Sequence, residues 1–169
     1  QLERLGCAIT LLPHTTSPRD IIKLKPEGLV VSNGPEEDVG LGEVEKTVSA
    51  LIQKFPILGI STGHQVLARA LGAKVVRMKV GHHGVNHPVL NPASFKGEIT
   101  AQNHSYVVEI DSINKIKSIK VTGFHLNDRS IEEFESKKLK VLGIQYYPAC
   151  PGFEEVSPAL RRFTQMVAA

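Results

Sequence analysis

The sequence predicts an α/β domain in which a mainly parallel sheet carries helices on both faces and is extended by antiparallel strands. Three observations predict it. Strand-like and helix-like segments alternate over the first 72 residues. Most strand-like segments there are apolar throughout rather than at every second position, as in strands covered on both faces. From Lys74 onward, short strand signals are punctuated by glycine and proline, which marks hairpins.

Residues 1–6 read as the last turns of a helix closed by Gly6. No start signal precedes them, so the expectation is a single domain, 1–169, truncated at its N-terminus. Residues 7–12 form a short apolar run ended by Pro13 and are expected to be a buried strand. Ser17 and Pro18 read as the cap and first turn of a short helix. A second strand covers residues 28–32 and ends in the turn Asn33-Gly34-Pro35. Val44, Val48, Leu51, Ile52 and Phe55 fall at helical spacing and predict an amphipathic helix over 42–55. A third strand, 56–60, leads into Ser61-Thr62-Gly63 and a helix carrying Val66, Leu67, Ala70 and Leu71, stopped by Gly72. Short strands are then expected at 75–79, 89–90, 98–101, 107–110, 119–122 and 141–145. A last helix starts at Ser157-Pro158 and buries Leu160, Phe163 and Val167.

Composition excludes several classes. Hydrophobic residues make up 41% and charged residues 22%, the ordinary range for a globular chain. The net charge of +3 is small and its lysines and arginines are scattered, so no nucleic-acid-binding stripe exists. No apolar run approaches the roughly 20 residues that cross a bilayer, and no signal peptide opens the chain. Cys7 and Cys150 make no disulfide framework and suit a reducing compartment. The expectation is a soluble cytoplasmic protein.

Gly59-Ile60-Ser61-Thr62-Gly63 matches G-x-S-x-G between a strand and a helix, the nucleophile elbow. Its tight turn lifts one side chain above the sheet, and the helix N-terminus behind it offers N–H groups to an oxyanion. One reading is a serine hydrolase, which needs a histidine base oriented by an acid. His125 with Asp128 is the late candidate. His82, His83 and His87 suggest no metal site, because adjacent strand residues point to opposite faces and no cysteine or acidic cluster joins them. Tyr146 and Tyr147 are expected to pack at the sheet edge. Lys137-Lys138 and Arg161-Arg162 read as solvated charge.

A second reading comes from the residues around the elbow. Gly59-Ile60-Ser61-Thr62-Gly63-His64-Gln65 resembles the G-I-C-L-G-H-Q segment of class I glutamine amidotransferases. Gly81-His82-His83-Gly84, Asn86-His87-Pro88-Val89 and Ile99-Thr100-Ala101-Gln102-Asn103-His104 are similar to the carbamoyl-phosphate synthase small chain, as are Ser32-Asn33-Gly34-Pro35 and Leu126-Asn127-Asp128. The resemblance runs in order through nearly the whole chain. It implies a flavodoxin-like amidotransferase fold and a large synthetase chain, or a fused synthetase domain, as partner. That partner, which carries ATP and Mg, makes carbamoyl phosphate for pyrimidine, arginine or urea synthesis. No cofactor is implied in this domain. A member of the urea-cycle type would sit in the mitochondrial matrix.

The family's chemistry needs a cysteine, a histidine base and an orienting glutamate. By the resemblance these fall at Ser61, Tyr147 and Ala149, so all three are changed. A serine hydroxyl is hardly ionised at neutral pH and depends on a base, and tyrosine, with a reference pKa of about 10, is a poor one. Loss of glutamine hydrolysis is expected, leaving a scaffold or regulatory domain for an ammonia-using synthetase. The rivals are a glutaminase with an unrecognised base and the Ser61–His125 hydrolase. The resemblance assigns the oxyanion hole to Gly34 and the N–H of Thr62, and ligand contacts to Gln65, Asn103, Ser105 and Tyr106. Glu36 replaces a family glycine. Weak glutamine binding and exclusion by this carboxylate both stay open.

Overall fold

The computed structural model describes residues 1–148 and 156–169, and the fold is that of one mixed α/β sheet flanked by helices. Seven strands lie in the order β1-β2-β7-β6-β5-β3-β4. They are β1 Leu29–Val31, β2 Ile57–Ile60, β3 Val75–Asn91, β4 Lys96–Val108, β5 Lys120–His125, β6 Ile131–Ser136 and β7 Val141–Ile144. The helices are α1 Pro18–Lys23, α2 Leu41–Leu51, α3 Thr62–Ala70, α4 Ile110–Ile113 and α5 Pro158–Ala168. The strands β1, β2 and β7 pair in parallel, and β6, β5, β3 and β4 continue antiparallel. The sheet curls far enough for Ala101 of β4 to bridge Tyr147, just beyond β7.

The central strands are apolar at every position because both faces are covered. Ile57 and Val141 join a cluster with Val48, Leu51, Val66 and Leu67 of α2 and α3. Their neighbours Leu58 and Leu142 point the other way, into a cluster with Leu160 and Phe163 of α5. Period-two alternation thus divides one continuous apolar strand between two cores. Ser17 caps α1 as expected, accepting from the Asp20 N–H at 3.2 Å. Pro18 and Pro158 sit in the first turns of α1 and α5.

Several expectations are corrected. Residues 7–12 form no strand: they pair with no described strand, and Ile9 and Leu11 are exposed. An apolar run becomes a strand only where a ladder partner takes up its backbone groups. Residues 3–5 form a 3-10 turn closed by Gly6 at φ 83°. The α2 helix ends at Leu51, short of Phe55, where Ile52 turns out of the helical region at ψ 141° and Gln53 is left-handed at φ 67°. The separate strands expected at 75–79 and 89–90 are one strand, β3, and those at 98–101 and 107–110 are one strand, β4. Between Arg77 and His82, and between Gly84 and His87, the register slips through bulges instead of turning. The strand at 141–145 is β7, which forms an antiparallel hairpin with β6 and also pairs in parallel with β2, so it joins the hairpins to the parallel core. β6 has no counterpart among the expected strands, since Ile-Glu-Glu-Phe-Glu-Ser has no apolar run. Its Glu132 and Glu133 are nonetheless buried.

Candidate active site

The elbow is built by two glycines and one strained residue. Ser61 has φ 53° and ψ −112°, a conformation disfavoured for any residue with a Cβ. Its N–H donates to the Ile144 carbonyl at 2.8 Å, which anchors the turn between β2 and β7. A Cβ on Gly59 would stand 2.5 Å from the Gly63 carbonyl oxygen, and one on Gly63 only 1.9 Å from that of Val31. Strand and helix can meet this closely only with glycine at both places. The Thr62 hydroxyl donates to the Gly34 carbonyl, so the two residues assigned to an oxyanion hole are neighbours.

Beside the elbow lies a group of N–H donors. The Gln65 Nε2 donates to Glu36 Oε1 at 2.6 Å and to the Tyr106 carbonyl at 3.0 Å. The Ser105 N–H donates to Glu36 Oε2 at 2.7 Å, and the Tyr106 N–H to Glu36 Oε1 at 3.2 Å. The Tyr106 hydroxyl donates to Glu37 Oε1 at 2.7 Å. Gln65, Ser105 and Tyr106 therefore converge on the chain's own carboxylate. Asn103 is not among them: it is exposed and pairs with the His83 ring at 2.7 Å. The free space bounded by Glu36, Leu41, Thr62, Gln65, Val66 and Arg69 is only about 10 Å³, no more than one water fills. A hollow of about 510 Å³ opens between β3, β4 and the β5–β6 turn and shares no residue with the elbow.

Ser61 is buried and Tyr147 half-buried, with the Tyr147 N–H donating to the Ala101 carbonyl at 2.9 Å. Ala149, like Cys150, lies outside the described residues. Among the described residues no imidazole hydrogen-bonds the Ser61 hydroxyl. His64, on the first turn of α3, points into the core. Its ring lies 4.7 Å from that of Phe134, and neither nitrogen has a hydrogen-bond partner. Burial pushes its pKa down to about 3, opposed in part by the adjacent Gly143 backbone, which stands outside hydrogen-bond geometry.

The histidines away from the elbow are brought together. His82 is buried and His83 exposed, as strand alternation requires. The expectation that no acidic group joins them fails: His82 Nε2 lies 2.9 Å from Asp128 Oδ2 and its Nδ1 3.6 Å from Glu132 Oε1. His125 stacks on His82 at 4.0 Å, faces His87 Nδ1 at 3.1 Å and lies 3.5 Å from Asp128. Two triplets, His82-His87-His125 and His82-His104-Glu132, each place three ligand atoms within 4.8 Å and could hold a cation. Bonds within the chain nevertheless occupy the central rings. His82 is taken by Gln102 and Asp128, and His104 by Gln102 and the Tyr106 carbonyl. Burial opposes protonation of His82, but Glu132 and Asp128 outweigh it and raise its pKa. Burial pushes the His104 pKa down to about 3, and a neutral ring carries one N–H, so it donates to only one of Gln102 Oε1 and the Tyr106 carbonyl. His125 sits on β5, three strands across from β2, roughly 14 Å at about 4.8 Å per strand. The Ser61–His125 pairing is not formed.

Sequence reasoning also missed Glu133. It accepts from the buried Tyr146 hydroxyl and from Arg162 at 2.8 Å. Arg162 is thus ion-paired, not simply solvated. The only signal in the sequence was the run of acids inside an otherwise strand-like spacing.

Comparison with known proteins gives this geometry its setting. The model of the family "Glutamine amidotransferase class-I" matches residues 1–158. The chain is 39% identical over 168 residues to the chloroplastic carbamoyl phosphate synthase small chain of Oryza sativa subsp. japonica, covering 99% of this chain and 37% of that one. It is 37% identical over 170 residues to the carbamoyl phosphate synthase small chain of Akkermansia muciniphila, covering 100% and 45%. The chain therefore spans less than half the length of these relatives. The crystal structure of a GMP synthase protein from Thermoplasma acidophilum superposes with a TM-score of 0.81 at 22% identity, covering 99% of this chain and 84% of that one, and shares the fold. The elbow, the sheet order around it and the matched family model agree: the chain belongs to the class I glutamine amidotransferases.

Proposed function

We propose that this chain is the amidotransferase-like domain of a carbamoyl-phosphate synthase small chain, that it does not hydrolyse glutamine, and that it serves an ammonia-using synthetase as a scaffold or regulatory domain. The observation that carries this reading is the elbow without a base. Ser61 has a strained conformation that suits a nucleophile, yet no described imidazole is bonded to its hydroxyl; by the resemblance, Tyr147 takes the family's base position. A hydroxyl that cannot give up its proton is not a nucleophile at neutral pH. Loss of such partners has cost about a millionfold in a well-studied protease. The small-chain relatives support a large synthetase chain as partner; that this partner carries ATP and Mg is part of the proposal. Among the described residues no helix is long and apolar enough to cross a membrane. A cytoplasmic location, or the mitochondrial matrix for a urea-cycle type, is part of the proposal.

Glutamate release from glutamine by the purified protein, alone and with its synthetase, tests the reading. The expected rate is at background in both. Release at an ordinary enzymatic rate would establish the rival glutaminase with another base. A fluorophosphonate probe is expected to leave Ser61 unlabelled, and labelling would revive the serine hydrolase.

A further inference from the structure

We infer that Glu36 is a resident ligand: its carboxylate fills a carboxylate-binding cradle beside Ser61 and keeps free amino-acid carboxylates out. The inference rests on the reading of this pocket as an amidotransferase site. Three N–H donors from two distant parts of the chain converge on the Glu36 oxygens: Gln65 Nε2 at 2.6 Å, Ser105 N at 2.7 Å and Tyr106 N at 3.2 Å. Two are backbone groups of neighbouring residues, and none is a cation. Paired N–H groups of this kind, strengthened by a charged acceptor, are how a backbone holds a carboxylate.

Glu36 reaches them from a loop that is otherwise on the surface. Residues 33–35 and 37–39 are exposed, while Glu36 is half-buried. A second carboxylate from the same loop, Glu37, accepts from the Tyr106 hydroxyl at 2.7 Å, so β4 is held to the loop at two points. With the side chain in place about 10 Å³ of free space remains. That is about one water, far below the volume of an amino acid. A tethered ligand competes at an effective concentration in the millimolar range for a short link. A free amino acid must displace it rather than enter an open site. Replacing Glu36 by glycine removes the competitor and leaves all three donors in place.

The test is calorimetric titration of L-glutamine, and of its α-carboxamide analogue, into the purified protein and its Glu36→Gly variant. Thermal melting first establishes that the variant is folded. The wild-type chain is expected to bind neither compound, and Glu36→Gly to bind L-glutamine roughly tenfold to hundredfold tighter than wild type. The carboxamide, which lacks the carboxylate, is expected to bind the variant at least about tenfold more weakly than glutamine does. Equal glutamine binding by wild type and variant overturns the proposal, and so does a folded variant that binds none. Equal affinity of the variant for the carboxamide also overturns it, because the cradle would then not read the carboxylate. Glutamate release separates this proposal from the one on which it rests. A Glu36→Gly chain that binds and hydrolyses glutamine sustains the resident ligand and sinks the inert elbow. A wild-type chain that binds but does not hydrolyse does the reverse.

Discussion

Acidification from pH 7 to pH 5 is expected to remove stability through His64. The imidazole is fully buried beneath the elbow, against Phe134, with no partner for either nitrogen. Burial holds its folded-state pKa down at about 3, whereas an unfolded histidine titrates near ~6.5. The folded value is the lower one, so the unfolded chain takes up the proton first as the pH falls. The contribution of His64 is therefore present above about pH 6.5 and is lost progressively below it, down to the folded pKa. At pH 5 the native ring is still neutral. The loss then depends only on the distance from the unfolded value, about 1.5 units or roughly 2 kcal/mol. For a chain of this size that is about 4–8 °C in Tm. Melting of wild type and His64→Leu at both pH values isolates the effect, because His104 and Glu132 contribute to both proteins. The variant should be at least as stable at pH 7, where it loses two unpaired buried nitrogens. Its fall in Tm on acidification should be smaller by about 4–8 °C. Equal falls would refute the assignment of a neutral, unpartnered imidazole.

Three further substitutions probe the scaffold. Gly63→Ala places a Cβ 1.9 Å from the Val31 carbonyl oxygen and should abolish soluble folded protein. Gly42→Ala meets nothing within 4 Å inside α2 and should raise stability by about 0.5–1 kcal/mol. Similar melting curves for the two would contradict the close approach at the elbow. Tyr146→Phe removes the hydroxyl that donates to buried Glu133 and leaves Arg162 and Thr122 on that carboxylate. A loss of about 2 kcal/mol, or roughly 5 °C in Tm, is expected by calorimetry; an unchanged Tm would show that the bond contributes nothing net.

Local chemistry made much of the architecture legible. Ser17-Pro18 and Ser157-Pro158 marked helix starts through their own dihedral preferences, and both helices begin there. Gly59 and Gly63 announced a tight strand-to-helix turn because nothing larger fits it. Misreadings arose where tertiary partners decide. Residues 7–12 carry a strand's apolarity without a strand to pair with. β6 carries a strand's geometry under a charged sequence, its acids made tolerable by Gln102, Tyr146 and Arg162. Glycine and proline looked like turns, yet in β3 Gly81 falls within and Gly84 borders a register shift against β4, while Pro88 pairs in register with Ile99.

The elbow and the identities of Ser61 and Tyr147 were present in the sequence alone, since residue identity and short-range sterics need no fold to be read. The seating of Glu36 was not. Its donor at Ser105 lies 69 positions away, and only the curl of the sheet carries β4 to the loop after β1. The histidine network has the same origin, with His82 and Asp128 46 positions apart. Contacts of that range are set by the packing of whole elements. The sequence therefore determined which groups are available for chemistry, and the tertiary structure decided which of them are already occupied.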